Sequence, residues 1–181
     1  MSVCLIRHAQ SMFNAVYDPD KPDPMIFDSP LSKLGEQQAK EAAQRVQQLD
    51  ISSVIVSPLT RTLQTAALVF GNSQPYQVNA LVREQVLNSG DVGRSPRELA
   101  KDFPNLDFTH LDDVWWHDEE HDERGISVEP EEVLQQRADS FARYLKENNI
   151  HATAIVSHGN FIRALTGIQP ENCQIIEFDP Q

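Results

Sequence analysis

The chain alternates short apolar runs with longer amphipathic stretches. Val3 to Ile6 is an unbroken apolar run, and Val54-Ile55-Val56 and Ala154-Ile155-Val156 repeat the pattern. Runs that short and that apolar suit strands buried on both faces of a sheet. Between them the period changes to that of helices. Ser32 stands as an N-cap before Leu34, Ala39, Ala42, Ala43, Val46 and Leu49, which predict an amphipathic helix ending near Asp50. Gly35 is an awkward guest in its first turn. Pro58 suits the first position of a second helix, with Leu59, Leu63, Ala66, Ala67 and Phe70 as its apolar stripe and Gly71-Asn72 as its end. Tyr76 to Leu81 reads as a further strand. Ser95-Pro96-Arg97-Glu98 is a capping box that opens a short helix to about Phe103. Leu134, Ala138, Phe141 and Leu145 mark a long helix to near Asn148. Phe161, Ile162 and Leu165 begin the last helix, and Gln174 to Phe178 reads as a closing edge strand. Strands alternating with helices predict an α/β sandwich.

Two stretches lack any period. Tyr17 to Pro24, rich in proline and aspartate, reads as a loop. Asp107 to Glu129 holds Trp115-Trp116 and the charged run His117 to Glu123. Residues 88–129 read as a lid-like insertion in a single domain spanning residues 1–181.

The ends of the buried strands change the picture. The first stops at Arg7-His8, and the one at Ala154 to Val156 stops at Ser157-His158-Gly159. In open α/β sheets ligands bind at the carboxyl ends of strands. A single histidine there is often structural. Two strands that each deliver one favour a shared site.

Composition sets the bounds. A chain of 181 residues with 40% hydrophobic residues can build a sizeable core. A net charge of -12 argues against nucleic acid and anionic membranes as general partners. No apolar run approaches a membrane span, and Met1-Ser2-Val3 shows no basic leader. Cys4 and Cys173 have no metal-ligand spacing. Cys4 is expected as a small buried hydrophobe, and the pair fits a reducing cytoplasm.

Four motifs then stand in order. Arg7-His8-Ala9-Gln10-Ser11, with Asn14 three residues on, resembles the first motif of the histidine phosphatase superfamily, in its phosphoglycerate mutase-like branch (branch 1). Ser57-Pro58-Leu59-Thr60-Arg61-Thr62-Leu63-Gln64-Thr65-Ala66 resembles the second. Glu84 follows at the family's usual distance, and Ser157-His158-Gly159-Asn160 resembles the last. Each motif alone is weak, but together they span residues 3 to 165. The resemblance implies a three-layer sandwich with a mixed, mostly parallel sheet and helices on both faces. It departs at two positions: Ala9 stands where the family more often has glycine, and Gln10 where it often has glutamate. Both are expected in the pocket wall.

The chemistry that these residues can do is phosphoryl transfer. A phosphomonoester needs a nucleophile, cations around its oxygens and an acid for the leaving group. Neutral His8 is the candidate nucleophile, its other ring nitrogen donating to a backbone carbonyl. Arg7, Arg61 and His158 would hold the phosphoryl group, with Asn14 as a neutral donor. The resemblance implies the same roles, makes Glu84 the proton donor, and adds Ser11, Gly159 and Asn160 to the binding set. A small phosphorylated substrate is expected, a phosphoprotein being an alternative. No metal and no cofactor are required, because arginine and histidine supply the charge. Oligomeric state is not legible.

Rival readings differ in class. His117 and His121 stand four apart, as in helical zinc sites, but Asp118 follows the first histidine where the zinc-protease pattern needs glutamate. Ser157-His158 lacks the nucleophile elbow of a serine hydrolase. Trp115-Trp116 suits packing better than base stacking in so acidic a chain. A binding module on a disabled phosphatase fold predicts loss of His8, Arg61, Glu84 or His158, and all are present. Between phosphatase and mutase, Gln85 to Pro130 carries four cationic and twelve acidic residues, a net charge of -8. A mutase must rebind a doubly phosphorylated intermediate, so this charge favours a phosphatase if the segment covers the site. It loses force if the carboxylates face solvent.

Overall fold

The computed structural model describes residues 2–180. Five strands form one sheet: β1 (Val3–Arg7), β2 (Ser53–Val56), β3 (Tyr76–Val78), β4 (Thr153–Ser157) and β5 (Ile175–Phe178). Their spatial order is β3-β2-β4-β1-β5. The four inner pairings begin with β1 beside β4, β4 beside β2 and β2 beside β3, all parallel, and end with β5 antiparallel on β1. The helices are α1 (Met12–Val16), α2 (Lys33–Val46), α3 (Thr60–Phe70), α4 (Pro96–Asp102), α5 (Glu131–Glu147) and α6 (Gly159–Thr166).

Alternation along the strands divides the core. Ile6, Val54, Val56, Ala154 and Val156 pack with Ala39, Ala42, Leu63 and Ala66 of α2 and α3 on one face. Val3, Leu5, Ile55 and Ile155 pack with Leu134, Phe141, Phe161 and Ile162 of α5 and α6 on the other. The result is a three-layer α/β sandwich. Fully burying a side chain such as Phe141 contributes about 1.5–3 kcal/mol. The parallel register pairs Arg7 with Ser157, and Val56 with Val156. It therefore delivers His8, Ser57 and His158 to one end of the sheet.

Several elements differ from the pattern reading. The first long helix stops at Val46, with Gln47–Leu49 turning away. Leu34 and Leu49 are exposed, as is Ala67 on α3. Cys4 is only partly buried, because it borders an open cleft that Leu49, Asp50 and His151 also line. Pro58 precedes its helix, which begins at Thr60. The start is set from a distance: the Asp28 carboxylate accepts from Thr60 N at 2.8 Å, where a local cap is lacking. The strand read from Tyr76 ends at Val78, and a 3-10 turn covers Ala80–Val82. Gly35 has a structural reason. A Cβ there would lie 2.0 Å from the carbonyl oxygen of Gln10, so glycine lets α2 meet the loop after β1.

Candidate active site

Arg7, His8, Ser11, Asn14, Arg61, Glu84, Gly159 and Asn160 line one pocket of about 160 Å³ at the carboxyl ends of β1 and β4. His158 lies behind it, fully buried, with its ring centroid 5.1 Å from that of His8. All nine residues singled out from the sequence thus converge.

His8 is 2% exposed, and both of its nitrogens are committed. Nδ1 stands 2.7 Å from the carbonyl oxygen of Ala9, which can only accept. Nε2 receives the Arg61 Nε–H at 3.2 Å. The two partners together assign the proton to Nδ1 and leave a lone pair on Nε2. Burial, then the positive charges of Arg61 and Arg7, hold the His8 pKa well below the ordinary histidine value. The lowered value favours the neutral ring. Its backbone is fixed by Ser157 O, which accepts from His8 N at 2.9 Å, and by Asn172 Nδ2, which donates to His8 O at 2.8 Å.

Arg61 reaches the pocket from the first turn of α3. Besides His8, its guanidinium donates to Gly90 O and, at 2.9 Å, to Asp91 Oδ1. Arg7 donates to Pro170 O at 2.8 Å. Its Nε, like Nδ1 of His158, is buried with no partner among the described residues. Buried polar atoms are normally paired, so these two unpartnered nitrogens set this end of the sheet apart. The other nitrogen of His158 meets Ser57 Oγ at 2.8 Å, and burial, then Arg61, lowers the pKa of this ring too.

Glu84 sits on the amino end of α6. Its oxygens accept from Gln85 N at 2.9 Å and from Asn160 N and Phe161 N at 3.3 Å. Those contacts favour the carboxylate, but burial and the nearby Asp91 outweigh them and raise its pKa. Burial raises Asp91 as well, opposed there by the Arg61 guanidinium. Asp91 accepts a charged hydrogen bond from Arg61, whereas Glu84 accepts only from backbone N–H groups, so of the two the neutral form is favoured more at Glu84. Arg137, buried in an ion pair with Glu129 at 2.7 Å, donates to the carbonyls of Leu81, Arg83 and Glu84 and fixes the Glu84 backbone.

Ser11 caps α1, receiving Asn14 N at 3.0 Å while Asn14 Oδ1 receives Ser11 N. This tie presents both side chains to the pocket. Ala9 and Gln10 are not part of its wall, contrary to expectation. Ala9 supplies the carbonyl for His8, and Gln10 turns to Ser32 and Gln38 at the start of α2. Phe13, Tyr17, Leu87, Asn88, Asp91 and Gln169 complete the lining, and sequence reasoning did not select them. One signal was available: Asn88 and Asp91 stand at capping-box spacing and form that box.

Residues 3–178 match the sequence profile of the histidine phosphatase superfamily, branch 1. The chain belongs to that family. A phosphoglycerate mutase-like protein from Arabidopsis thaliana is 27% identical over 95% of this chain and 76% of its own length. A fructose-2,6-bisphosphatase from Danio rerio is 27% identical over 58% of this chain, and the match spans 40% of that protein. Among solved structures, the phosphoserine phosphatase of Entamoeba histolytica, crystallised with 3-phosphoglyceric acid, superposes with a TM-score of 0.63 at 21% identity, covering 98% of this chain and 90% of that one. This last likeness concerns the fold.

In this member of the superfamily the acidic segment contributes little to the pocket. Of its twelve carboxylates, Asp91 alone is in the lining. Two of its four cations are paired elsewhere: Arg94 with Asp28 and Asp102 at 2.7 Å, and Arg124 with Asp122 at 2.7 Å. Trp115 packs into the core, its Nε1 donating to Arg94 O at 2.9 Å, with Trp116 edge-on. His117 and His121 lie in a loop rather than on a helix, and His121 pairs with Asp118 at 3.0 Å. Among the described residues no three histidine, cysteine or acidic side chains converge as a metal site, and no helix is long and apolar enough to cross a membrane.

Proposed function

We propose that this protein is a phosphatase that hydrolyses a small phosphomonoester through a phosphohistidine on His8. The observation that carries the reading is the pair of contacts on His8, Ala9 O on Nδ1 and the Arg61 N–H on Nε2, which support a neutral ring protonated on Nδ1 with its lone pair on Nε2. In the first step Nε2 attacks phosphorus and the P–O ester bond breaks. Glu84, protonated, gives its proton to the leaving oxygen. Arg7, Arg61 and His158 bind the phosphoryl oxygens, and Asn14 adds a neutral donor. In the second step the Glu84 carboxylate takes a proton from water, the hydroxide equivalent attacks phosphorus, and the P–N bond breaks. Inorganic phosphate leaves, with His8 neutral and Glu84 protonated again. No cofactor enters this scheme.

The choice of phosphatase over mutase is supported by the lining. Its cations are Arg7 and Arg61, which one phosphoryl group consumes, and Asp91 adds negative charge. A bisphosphate would find no third cation there. The two free thiols, Cys4 and Cys173, fit the cytoplasm as the place of work.

The test is a panel of phosphorylated metabolites and phosphopeptides with His8→Ala as control. Rapid quenching with a labelled substrate should trap an acid-labile, base-stable adduct that His8→Ala abolishes. Fast interconversion of 2- and 3-phosphoglycerate primed by the bisphosphate, with little phosphate released from any monoester, would make the protein a mutase. Phosphate binding without turnover or adduct would make it a binding module.

A further inference from the structure

Asp91 stands apart from the other carboxylates of its segment. It comes from the 3-10 turn Ser89–Asp91 and is largely buried against the guanidinium of Arg61. Its Oδ1 accepts from Arg61 Nη2 at 2.9 Å. Its Oδ2 accepts from the backbone N–H groups of Asn88 at 3.2 Å and Leu87 at 3.3 Å. The adjacent carbonyl of Gly90 takes the other terminal nitrogen of Arg61. The turn therefore grips both ends of the guanidinium fork, while Nε points at His8. The turn is itself pinned from the opposite side. Asp23, in the proline-rich loop, accepts from Ser89 N at 2.8 Å, and Arg124 reaches both Asp23 and Leu87 O. A guanidinium free to rotate would spread its donors over many directions. One held at both terminal nitrogens presents Nε in a single direction.

We propose that Asp91 is the positioning residue of the site: it orients Arg61 for the phosphoryl group. The inference rests on the phosphatase reading. It assigns Asp91 no contact with the reacting atoms, since both of its oxygens are already used within the protein. Loss of its charge acts twice. Arg61 loses its anchor, so phosphate binding weakens. Glu84 loses the neighbouring anion that opposes its ionisation, so its pKa falls.

The experiment uses the full chain and the variants Asp91→Asn, Asp91→Glu, Arg61→Gln and the double variant Asp91→Asn/Arg61→Gln. Binding of inorganic phosphate is measured by calorimetry, and kcat is measured against pH with phenyl phosphate. Asp91→Asn should weaken phosphate binding by about tenfold, the scale of one charge-assisted hydrogen bond. It should also move the alkaline limb of the kcat profile to lower pH, which a merely structural role would not do. In the Arg61→Gln background Asp91→Asn should leave phosphate affinity unchanged, because the partner through which it acts is gone. Asp91→Glu, which keeps the charge but displaces the oxygens, should weaken binding and leave the alkaline limb in place. It also carries the test if the asparagine variant does not fold. Unchanged phosphate affinity in the folded single variants, or additive losses in the double variant, would overturn the inference while leaving the phosphatase reading intact. A wild-type protein that neither binds phosphate nor hydrolyses phenyl phosphate or any ester of the panel would overturn both.

Discussion

Arg61 Nε donates to His8 Nε2 at 3.2 Å, so in the proposed mechanism the cation that holds the phosphate rests on the atom that attacks it. The two roles exclude each other at any instant. When a phosphoryl group enters, the N–H must pass from the ring nitrogen to a phosphate oxygen, and this exchange uncovers the lone pair. Removing the guanidinium has two effects. Arg61→Gln should lower kcat/KM by about 100-fold or more, the scale set by loss of one strong oxyanion donor. It should also move the acid limb of kcat/KM to higher pH, because Arg61 is a cause of the lowered His8 pKa. A pH–rate profile checks both, and an acid limb that stays put would separate Arg61 from the His8 equilibrium.

The alkaline side belongs to Glu84. Its pKa is raised, so the proton needed by the leaving group is retained above the ordinary carboxylate range. Activity should fall as pH rises through that raised value. Glu84→Gln should remove the limb and slow poor leaving groups far more than p-nitrophenyl phosphate, which needs little protonation. Equal losses for both kinds of ester would assign the acid elsewhere.

Stability should carry the same signature. Between the unfolded value near 4.5 and the raised folded value, the folded state binds more protons at Glu84 than the unfolded state does. Its contribution is therefore complete below 4.5 and is lost as pH rises through the folded pKa. His8 and His158, lowered in the fold, act in the opposite sense and destabilise as pH falls below 6.5. Comparing Glu84→Gln with wild type isolates the carboxyl group. The stability of the variant relative to wild type should grow with pH across that window, by at most about 1.4 kcal/mol per pH unit. Denaturant melts at several pH values check this, and a difference independent of pH would contradict the raised pKa.

Gly35→Ala offers a test of the frame. In an ordinary helix interior the change stabilises by about 1 kcal/mol. Here the added Cβ would lie 2.0 Å from Gln10 O, a backbone atom that cannot step aside. Destabilisation of about 2 kcal/mol or more is expected, visible as a lowered Tm. A Tm raised by the substitution would show that α2 does not press on the loop after β1.

Chelation gives a further check. Arg7 and Arg61 supply the positive charge of the pocket, so turnover should survive a strong chelator. Activity lost to chelation and restored by zinc or magnesium would require a cation in the phosphoryl site.

The sequence was most legible where local chemistry and tertiary demand coincide. Val3 to Ile6 and Ala154 to Val156 are apolar because both faces are covered, and the histidines after them mark the end where the sheet opens. The Ser32 cap and the Ser95 capping box form as read. Where a partner distant in sequence decides, the reading slipped. Pro58 looked like a helix start, but the start is set by Asp28, thirty-two residues away from Thr60. Gln10 stood close to His8 in sequence and was read into the pocket, yet its side chain accepts from Ser32 and its backbone N–H donates to Gln38. Asp91 was counted as charge, because nothing local says that a carboxylate will meet Arg61.

The pairing of β1 with β4 has a consequence for how the protein is made. Cys4 to Arg7 find their partners at Ala154 to Ser157, so β1 waits for a strand made about 150 residues later. At ordinary translation speeds that interval is roughly ten to thirty seconds, during which a flat apolar segment has no neighbour to close its edges. Nascent chains stalled before residue 153 should therefore be clients of chaperones. They should also be without catalysis, because His8 meets His158 only when β1 and β4 have both been made.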